Sequence, residues 1–175
     1  MTIAFRKMDV SRRTFMVGAA GFTFAIGSGL RTASAEAARS EVTLSPWVTI
    51  STDDTVAIMS PAAEMGQGSL TSLPLILAEE LDADWAKVRV VVAPPNDELY
   101  KNPQYGYMYT AGSNAVTSYF KPLRLFGAQV RKVLIVNAAN RWEVPVAEVT
   151  TGPNVVIHEN SGTRWSIRHH VCKLR

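Results

Sequence analysis

The chain has 175 residues, of which 47% are hydrophobic and 19% are charged, and it contains one cysteine. This length and apolar fraction suit one globular domain of modest size and exclude a wholly disordered chain. A single cysteine excludes an internal disulfide, and it also excludes a four-thiolate zinc or iron–sulfur site built by this chain alone.

The basic residues are concentrated at the two ends of the chain. Residues 1–35 contain five basic residues and one acidic residue, and residues 161–175 contain four basic residues and no acidic one. The intervening residues 36–160 contain nine basic residues against 14 acidic ones. A protein that binds nucleic acid needs lysine and arginine clustered on its folded surface, so the acidic body excludes this class.

The first 35 residues have the three-part order of an export signal. The adjacent Arg12 and Arg13 precede an apolar run over residues 15–30, and Ala-Ser-Ala at residues 33–35 forms a small-residue cleavage site. The arginine pair resembles a twin-arginine signal, which predicts a periplasmic protein. An uncleaved membrane anchor or an amphipathic start is the alternative, although the run is shorter than the roughly 20 residues that a spanning helix needs.

After a polar linker over residues 36–46, the first half of the chain predicts alternating strands and a helix. β-Branched runs flank an Asp-containing turn at residues 52–54 and predict a β-hairpin. Leucines at three- and four-residue spacing predict a helix over residues 69–81, with Pro74 tolerated near its start. A near-continuous apolar run predicts a strand over residues 88–92.

The longest periodic segment predicts a second main helix over residues 114–142. Its apolar stripe, from Val116 to Asn137, is expected to be core, with Ser113 or Asn114 as the N-cap and a kink at Pro122. Short strands are predicted at residues 147–150 and 155–158 on either side of a Gly-Pro turn. This order of strands and helices predicts an α+β or α/β fold rather than an all-α bundle, and we expect the α+β class.

The most distinctive local sequence is Glu-Met-Gly-Gln-Gly at residues 64–68, between a predicted strand and a predicted helix. Gly66 and Gly68 remove side chains where a large ligand would touch the backbone. Unpaired amides at the helix start attract anions such as phosphate, and Gln67 offers a neutral donor and acceptor for the edge of a heterocycle. Glu64 is expected to complement the helix dipole rather than to act as a base. By spacing alone, a tight connection without any ligand stays the alternative.

A second segment of the same kind, Tyr-Thr-Ala-Gly-Ser at residues 109–113, precedes the long helix about 45 residues later. It again combines small residues with a hydroxyl at a helix start, so we expect both segments to converge on one ligand. Tyr105, Tyr107 and Tyr109 precede it, with Tyr100 further upstream. These tyrosines suggest either a wall of a substrate channel or packing over a core edge or a partner.

The two segments together, Glu-Met-Gly-Gln-Gly followed by Thr-Ala-Gly-Ser, resemble the cofactor-binding part of the xanthine dehydrogenase and aldehyde oxidase family of molybdenum hydroxylases. The resemblance is greatest to large subunits of the isoquinoline 1-oxidoreductase type. It runs from about Trp47 to Val156 and includes Ala-Glu-Glu-Leu-Asp at residues 78–82 and Ala-Pro-Pro-Asn at residues 93–96. It implies a partial molybdopterin-binding domain over residues 47–160.

The resemblance also implies a cofactor, namely molybdenum with molybdopterin, in the plain or the cytosine dinucleotide form, held in an incomplete site. By position, the implied cofactor-binding residues are Met65, Gly66, Gln67, Gly68, Thr110, Ala111, Gly112 and Ser113. The intact enzyme would hydroxylate an aldehyde or an N-heterocycle with oxygen from water. It would pass electrons to an iron–sulfur small subunit, and it could associate with a membrane through that complex.

The family's catalytic glutamate lies in a segment that this sequence does not include. No catalytic residue and no metal ligand is therefore assigned, and the chain is expected to be inactive alone. Two other functions stay open. One is a small exported binding or scaffold domain without a cofactor. The other, a serine hydrolase using Ser69 or Ser113, has less support because neither serine lies in a Gly-x-Ser-x-Gly turn.

Residues 161–175 depart from the family pattern and are expected to form an atypical basic tail that is solvated and frayed. Within it, His169, His170 and Cys172 lack the geometry of a metal site. A frameshift or premature stop near Ser166 is the hypothesis for the origin of this tail. His158 is interpreted as structural rather than catalytic.

Overall fold

A computed structural model describes residues 41–171 of the chain. Its strands are β1 (Glu41–Ser45), β2 (Val48–Ser51), β3 (Val56–Ser60), β4 (Val88–Val92), β5 (Val149–Gly152), β6 (Val155–His158) and β7 (Thr163–Ser166). Its α-helices are α1 (Ser69–Leu81), α2 (Asp97–Tyr100), α3 (Ala115–Trp142) and α4 (Arg168–Val171), and short 3-10 turns precede β4 and β5. The predicted α+β class with two main helices is confirmed.

Strands β1 to β4 form one sheet in sequence order. The predicted hairpin is confirmed, because β2 and β3 pair antiparallel with Ile50 opposite Val56. β4 then pairs parallel to β3, as expected for two strands joined through a helix, here α1. The side chains of β2 are buried throughout, so this hairpin lies at the centre of the core.

The predicted linker over residues 36–46 is wrong for its second half. Residues Glu41–Ser45 form β1, which pairs antiparallel with β2. The segment looks polar overall, but polar and apolar residues alternate along it, and this alternation is enough for an edge strand with one face toward solvent. The linker residues before Glu41 lie outside the described part, and so does the predicted export signal.

Helices α1 and α3 lie side by side and are held close by a glycine. A Cβ atom on Gly127 would lie 2.5 Å from the Leu77 carbonyl oxygen and 2.8 Å from the Glu80 Cβ atom. Only hydrogen therefore fits at this crossing. The helix α3 is continuous through Pro122.

The predicted core stripe of α3 is confirmed only in part. Tyr119, Leu123 and Leu134 are buried, and so is Val130, whereas Val116 and Val133 are 42% and 45% exposed. Partway along the helix, the stripe packs against the sheet, where Phe126 stacks on Trp47 at a centroid distance of 4.9 Å. Val116 lies beyond this contact because it borders the cavity described below. We find no packing reason for the exposure of Val133.

The last three strands form a second, antiparallel sheet in the order β5-β6-β7. It is joined to the first sheet by Asn154, which is buried and has a left-handed φ of 57°. The side-chain amide of Asn154 donates to the Asp54 carbonyl at 3.0 Å, and its Oδ1 atom accepts from the Asp84 amide at 2.9 Å. The Asn154 amide also donates to the Asp82 carbonyl.

The predicted frayed tail is wrong for the residues that the structure describes. Residues Thr163–Ser166 form β7, and Ile167 is 4% exposed. The Ser166 hydroxyl donates to the Asp54 carboxylate, and Arg168 lies 3.7 Å from the same group. Burial of Ile167 and pairing with β6 stabilise this segment. Its basic composition does not oppose this, because Arg168 is exposed and its charge is not buried. The frameshift hypothesis stays a prediction.

Within residues 41–171, no helix has the length and hydropathy needed to cross a membrane. The same residues contain no cluster of three or more His, Cys, Asp or Glu side chains that could hold a metal ion.

Candidate functional site

The two predicted loops meet at one cavity of about 510 Å³. They are joined directly, because the Ala63 amide donates to the Thr110 hydroxyl at 3.0 Å across 47 residues of sequence. The lining residues come from the two loops and the first turns of α1 and α3, namely Met65, Gln67, Ser69, Thr110, Ala111, Gly112, Ser113, Asn114, Ala115 and Val116. The two loops are therefore adjacent, and their binding of one ligand stays a prediction.

The cavity lies where α1 and α3 both begin. Ser69 and Ala115, the first residues of the two helices, both line it. Further along, Gly127 of α3 faces Leu77 of α1, so the two helices run in the same general direction away from the cavity. The N-terminal ends of both helices therefore face the same cavity.

The sequence predicted unpaired amides at the N-terminus of α1 that would attract a ligand anion. In the structure a side chain of the same loop already binds these amides. The Glu64 carboxylate accepts the amides of Gly66 at 2.7 Å, Gly68 at 3.0 Å and Leu70 at 3.0 Å. These amides, with those of Leu70 and Gly68 contributing most, lower the pKa of Glu64 to about 2. The predicted role of Glu64 beside the helix dipole therefore extends to occupying the anion position itself.

Gln67 is also used within its own loop. Its amide nitrogen donates to the Ala63 carbonyl at 2.6 Å and to the Ser69 hydroxyl at 2.9 Å. Its Oε1 atom accepts from the Met65 amide at 2.6 Å. A carbonyl oxygen can accept two hydrogen bonds, so Oε1 keeps one acceptor position for a ligand, whereas the predicted free donor is already committed.

The N-terminus of α3 differs from that of α1. Asn114 occupies the N-cap position, as one of the two predicted candidates, but its side chain makes no capping hydrogen bond. The Asn114 side-chain amide instead donates to the Tyr105 hydroxyl at 2.6 Å and to the Gln104 Oε1 atom at 3.2 Å. Within the described part of the chain, no side chain caps the first amides of α3. The small residues Gly112 and Ser113 precede them with left-handed φ angles of 66° and 54°.

Asn102 was not among the predicted residues, and it organises the loop that precedes residues 109–113. Its side chain is fully buried, and its Oδ1 atom accepts from the Gln104 amide at 2.9 Å. Its backbone carbonyl accepts the amides of Tyr105 and Gly106. An asparagine two residues before a glutamine in a Pro-containing loop is an Asx-turn signal that could have found it.

The tyrosines of this loop divide into two groups. Tyr100 is buried, and its hydroxyl donates to the Pro46 carbonyl at 2.8 Å. Tyr105, Tyr107 and Tyr109 form an exposed cluster whose ring centroids are 4.7 to 6.3 Å apart. Packing at the core edge is confirmed for Tyr100, whereas a substrate-channel wall formed by the other tyrosines stays a prediction.

Six of the eight predicted cofactor-binding residues line the cavity, namely Met65, Gln67, Thr110, Ala111, Gly112 and Ser113. Gly66 and Gly68 lie outside the lining and shape the loop through left-handed φ angles of 95° and 79°. Ser69, Asn114, Ala115 and Val116 were missed, because a lining position depends on how the first helical turn faces the opposite loop.

The geometry gives no support to a serine hydrolase at Ser69. Its hydroxyl donates to the Ala63 carbonyl at 2.9 Å and lies near Glu64 and Gln67, so no histidine is among its partners. His158 instead lies in β6, with its ring nitrogens 2.7 Å from the Ser161 hydroxyl and 3.0 Å from the Glu148 carboxylate. These contacts join neighbouring strands and turns of the second sheet.

Glu64 is expected to titrate with a midpoint near 2, well below the ordinary value of 4.5. A carboxyl whose pKa is lowered in the folded state stabilises that state above its unfolded pKa, and this contribution is lost as the pH falls from about 4.5 toward 2. Carboxyl carbon chemical shifts measured against pH test this directly. A Glu64→Gln variant should have a lower Tm at pH 7 and the same Tm as the parent near pH 2. A midpoint near the ordinary value would contradict the capping role.

Comparison with known proteins gives the chain a family. The sequence model of the molybdopterin cofactor-binding domain matches residues 4–171. The chain is 43% identical over 159 residues to isoquinoline 1-oxidoreductase subunit beta from Brevundimonas diminuta, covering 87% of this chain and 20% of that subunit. It is 30% identical over 110 residues to a membrane-bound aldehyde dehydrogenase of Gluconacetobacter polyoxogenes, whose name gives pyrroloquinoline quinone, covering 63% of this chain and 14% of that protein.

Two solved structures have a similar fold. Quinoline 2-oxidoreductase from Pseudomonas putida 86 aligns with a TM-score of 0.53 and 20% identity over 71% of this chain and 15% of that one. The Cu,Mo-CO dehydrogenase aligns with a TM-score of 0.55 and 12% identity over 91% of this chain and 22% of that one. The chain thus spans about a fifth or less of the length of the curated relatives. On the family match over most of its residues, the chain belongs to the molybdopterin cofactor-binding domain family.

Proposed function

We propose that the cavity holds part of a molybdenum cofactor and that the two loops contact its pterin portion. The observation that carries this proposal is the meeting of residues 63–69 and 110–116 at one cavity, joined by the hydrogen bond from Ala63 to Thr110. Met65, Gln67 and residues 110–113 would make the contacts, and Gly66 and Gly68 would give their loop its shape.

The chemistry of the lining suits this ligand. The lining residues are small or neutral, and they offer hydroxyls, an amide oxygen and backbone groups, which match the mixed donors and acceptors of a heterocycle edge. An anionic part of the ligand would be favoured at the start of α3 and disfavoured at the start of α1, because Glu64 already occupies that end. The plain and cytosine dinucleotide forms share this anionic chemistry.

The proposal extends to the larger enzyme of which this fold is a part in the relatives. When bound, the molybdenum centre supplies oxygen insertion and two-electron chemistry that no side chain described here provides. The chain's own residues bind and orient the cofactor from one side. The complete large subunit would hydroxylate an aldehyde or an N-heterocycle and pass electrons to an iron–sulfur subunit.

Residues 1–35 support export by the twin-arginine route to the periplasm, which fractionation of producing cells tests.

Ala111→Leu is expected to lower cofactor content. The test uses a chimera in which this chain replaces the 159 aligned residues of the Brevundimonas diminuta subunit. A larger side chain in a filled site costs about 1–3 kcal/mol, which weakens binding about 5- to 150-fold, so molybdenum and pterin per protein should fall at least about fivefold. Ala128→Leu, on the exposed face of α3, serves as the matched control and should keep the parent content.

Three results would overturn the proposal. Absence of molybdenum and pterin from the parent chimera would favour an exported scaffold domain. A bound quinone in place of the pterin would favour the cofactor named for the Gluconacetobacter relative. Equal losses in Ala111→Leu and Ala128→Leu would place the effect on folding rather than on the cavity.

A further inference from the structure

The strand β4 lies at one edge of the four-stranded sheet. It pairs with β3 on one side, from Val56 opposite Val88 to Ser60 opposite Val92. On its other side, no strand within residues 41–171 pairs with it. The outer edge of β4 therefore carries backbone N–H and C=O groups that can pair with a further strand.

The composition of β4 is that of an interior strand. Four of its five residues are valine, with Arg89 as the fifth. Near-continuous valine runs are typical of parallel strands covered on both faces and flanked on both edges. Yet none of the five residues is buried, and Val92 is 62% exposed. The neighbouring parallel strand β3 is buried at four of five positions.

The orientation of the free backbone groups follows from the ladder. The Ala93 amide donates to the Ser60 carbonyl at 2.9 Å, toward β3. Because amides alternate along a strand, those of Val90 and Val92 point to the open edge. The Val88 amide also points away from β3, where it donates to the Trp85 carbonyl.

The two edges of this sheet differ in how they are protected. The opposite edge, β1, has an irregularity in its register between Thr43 and Ser45. An irregularity of this kind hinders pairing with another strand. β4 has an uninterrupted register and no proline, and Arg89 is its only charged residue. Among the residues that the structure describes, the sheet therefore has a protected edge at β1 and an unpaired edge at β4.

From this geometry we infer that the open edge of β4 is an interaction surface that receives a further strand of the large-subunit polypeptide. The curated relatives are about five or more times longer than the part that this chain matches, so their remaining segments can supply such a strand. Backbone hydrogen bonds to Val90 and Val92 would give affinity, and the valine side chains would favour an apolar strand.

A strand from the same polypeptide fits this edge better than a second copy of the chain does. Five residues extend about 17 Å, and stable interfaces between separate proteins bury about 1,200–2,000 Å². One short ladder falls well below that size. A tethered strand needs less contact, because its effective concentration is in the millimolar range for short linkers.

Amide hydrogen exchange in the chimera with the Brevundimonas diminuta subunit tests this inference. In the chain alone, the Val90 and Val92 amides should exchange rapidly at every protein concentration. In the chimera, both should slow at least about tenfold, since each gains a hydrogen bond whose opening controls exchange. The Ala93 amide, already bonded to Ser60, is the internal reference and should be protected in both.

A matched pair of variants separates the edge from general folding. Val90→Lys places a charge on the open strand, and it should restore rapid exchange at Val92 in the chimera while Ala93 stays protected. Leu125→Lys adds the same charge on the exposed surface of α3 and should leave the Val92 exchange slow. Fast exchange at Val90 and Val92 in the parent chimera would overturn the inference. Protection that appears in the chain alone as its concentration rises would instead assign the edge to a second copy.

Discussion

Asn154→Ala is expected to lower the free energy of unfolding by about 4 kcal/mol. The change leaves the Asp54 carbonyl and the Asp84 amide without their partner, and each such loss costs about 1–3 kcal/mol at a buried site. Alanine also tolerates the left-handed φ of 57° poorly, at a cost of roughly 1–2 kcal/mol. Urea unfolding of the purified chain, followed by circular dichroism, measures the loss.

Two further variants at the same position separate these causes. Asn154→Gly removes the side chain but accepts the left-handed backbone, so it should be about 1 kcal/mol more stable than Asn154→Ala. Asn154→Asp keeps the acceptor for the Asp84 amide but places a buried carboxylate oxygen against the Asp54 carbonyl, so it should be at least as unstable as Asn154→Ala. If all three variants unfold like the parent, Asn154 does not join the two sheets.

Gly127→Ala is expected to destabilise the chain by about 2 kcal/mol. The new methyl group would lie 2.5 Å from the Leu77 carbonyl oxygen and 2.8 Å from the Glu80 Cβ atom, so the helices must separate. Overpacking of this kind costs about 1–3 kcal/mol and sometimes more, and the backbone contact places this site at the upper end. The gain of about 1 kcal/mol in helix propensity offsets only part of the cost.

The control for Gly127→Ala is Gln129→Ala in the same helix. Gln129 is exposed, so its replacement should change the unfolding free energy by no more than about 0.5 kcal/mol. Because α1 and α3 both begin at the cavity, Gly127→Ala should also reduce the cofactor content of the chimera. An unfolding midpoint equal to that of the parent would show that the two helices are not in close contact.

Most of the regular structure could be predicted from local pattern. The leucine spacing gave α1 its correct bounds, and the long periodic segment predicted α3 to within one residue. The β2–β3 hairpin followed from its turn. One strand was displaced by two residues, because β5 covers Val149–Gly152 and a 3-10 turn takes up the start of the predicted strand over residues 147–150. The larger errors fell at β1 and β7, where short polar or basic strands carry little pattern of their own. These two segments form strands because they pair with β2 and β6, and their own residues favour strands only weakly.

The site could be predicted as a set of residues but not as an arrangement. Glycines before a helix identified both loops, and the resemblance to molybdenum hydroxylases connected them. The pattern could not show that Glu64 turns back onto amides as far as Leu70, which closes one helix end to anions. Nor could it show that Asn114 turns toward Tyr105, which leaves the other end without a side-chain cap.

The sequence by itself determined the two loops, the two helices that follow them and the family to which their motifs belong. These features depend on the periodicity and backbone preferences of adjacent residues, which act over a few positions. Tertiary structure decided that the two loops do share one cavity and that β4 has no partner strand on its outer side within residues 41–171. Both depend on contacts between residues far apart in the chain, such as the Ala63 amide with the Thr110 hydroxyl. Which helix end stays open depends on where Glu64 and Asn114 direct their side chains six and nine residues along the chain, and periodicity carries no information about that.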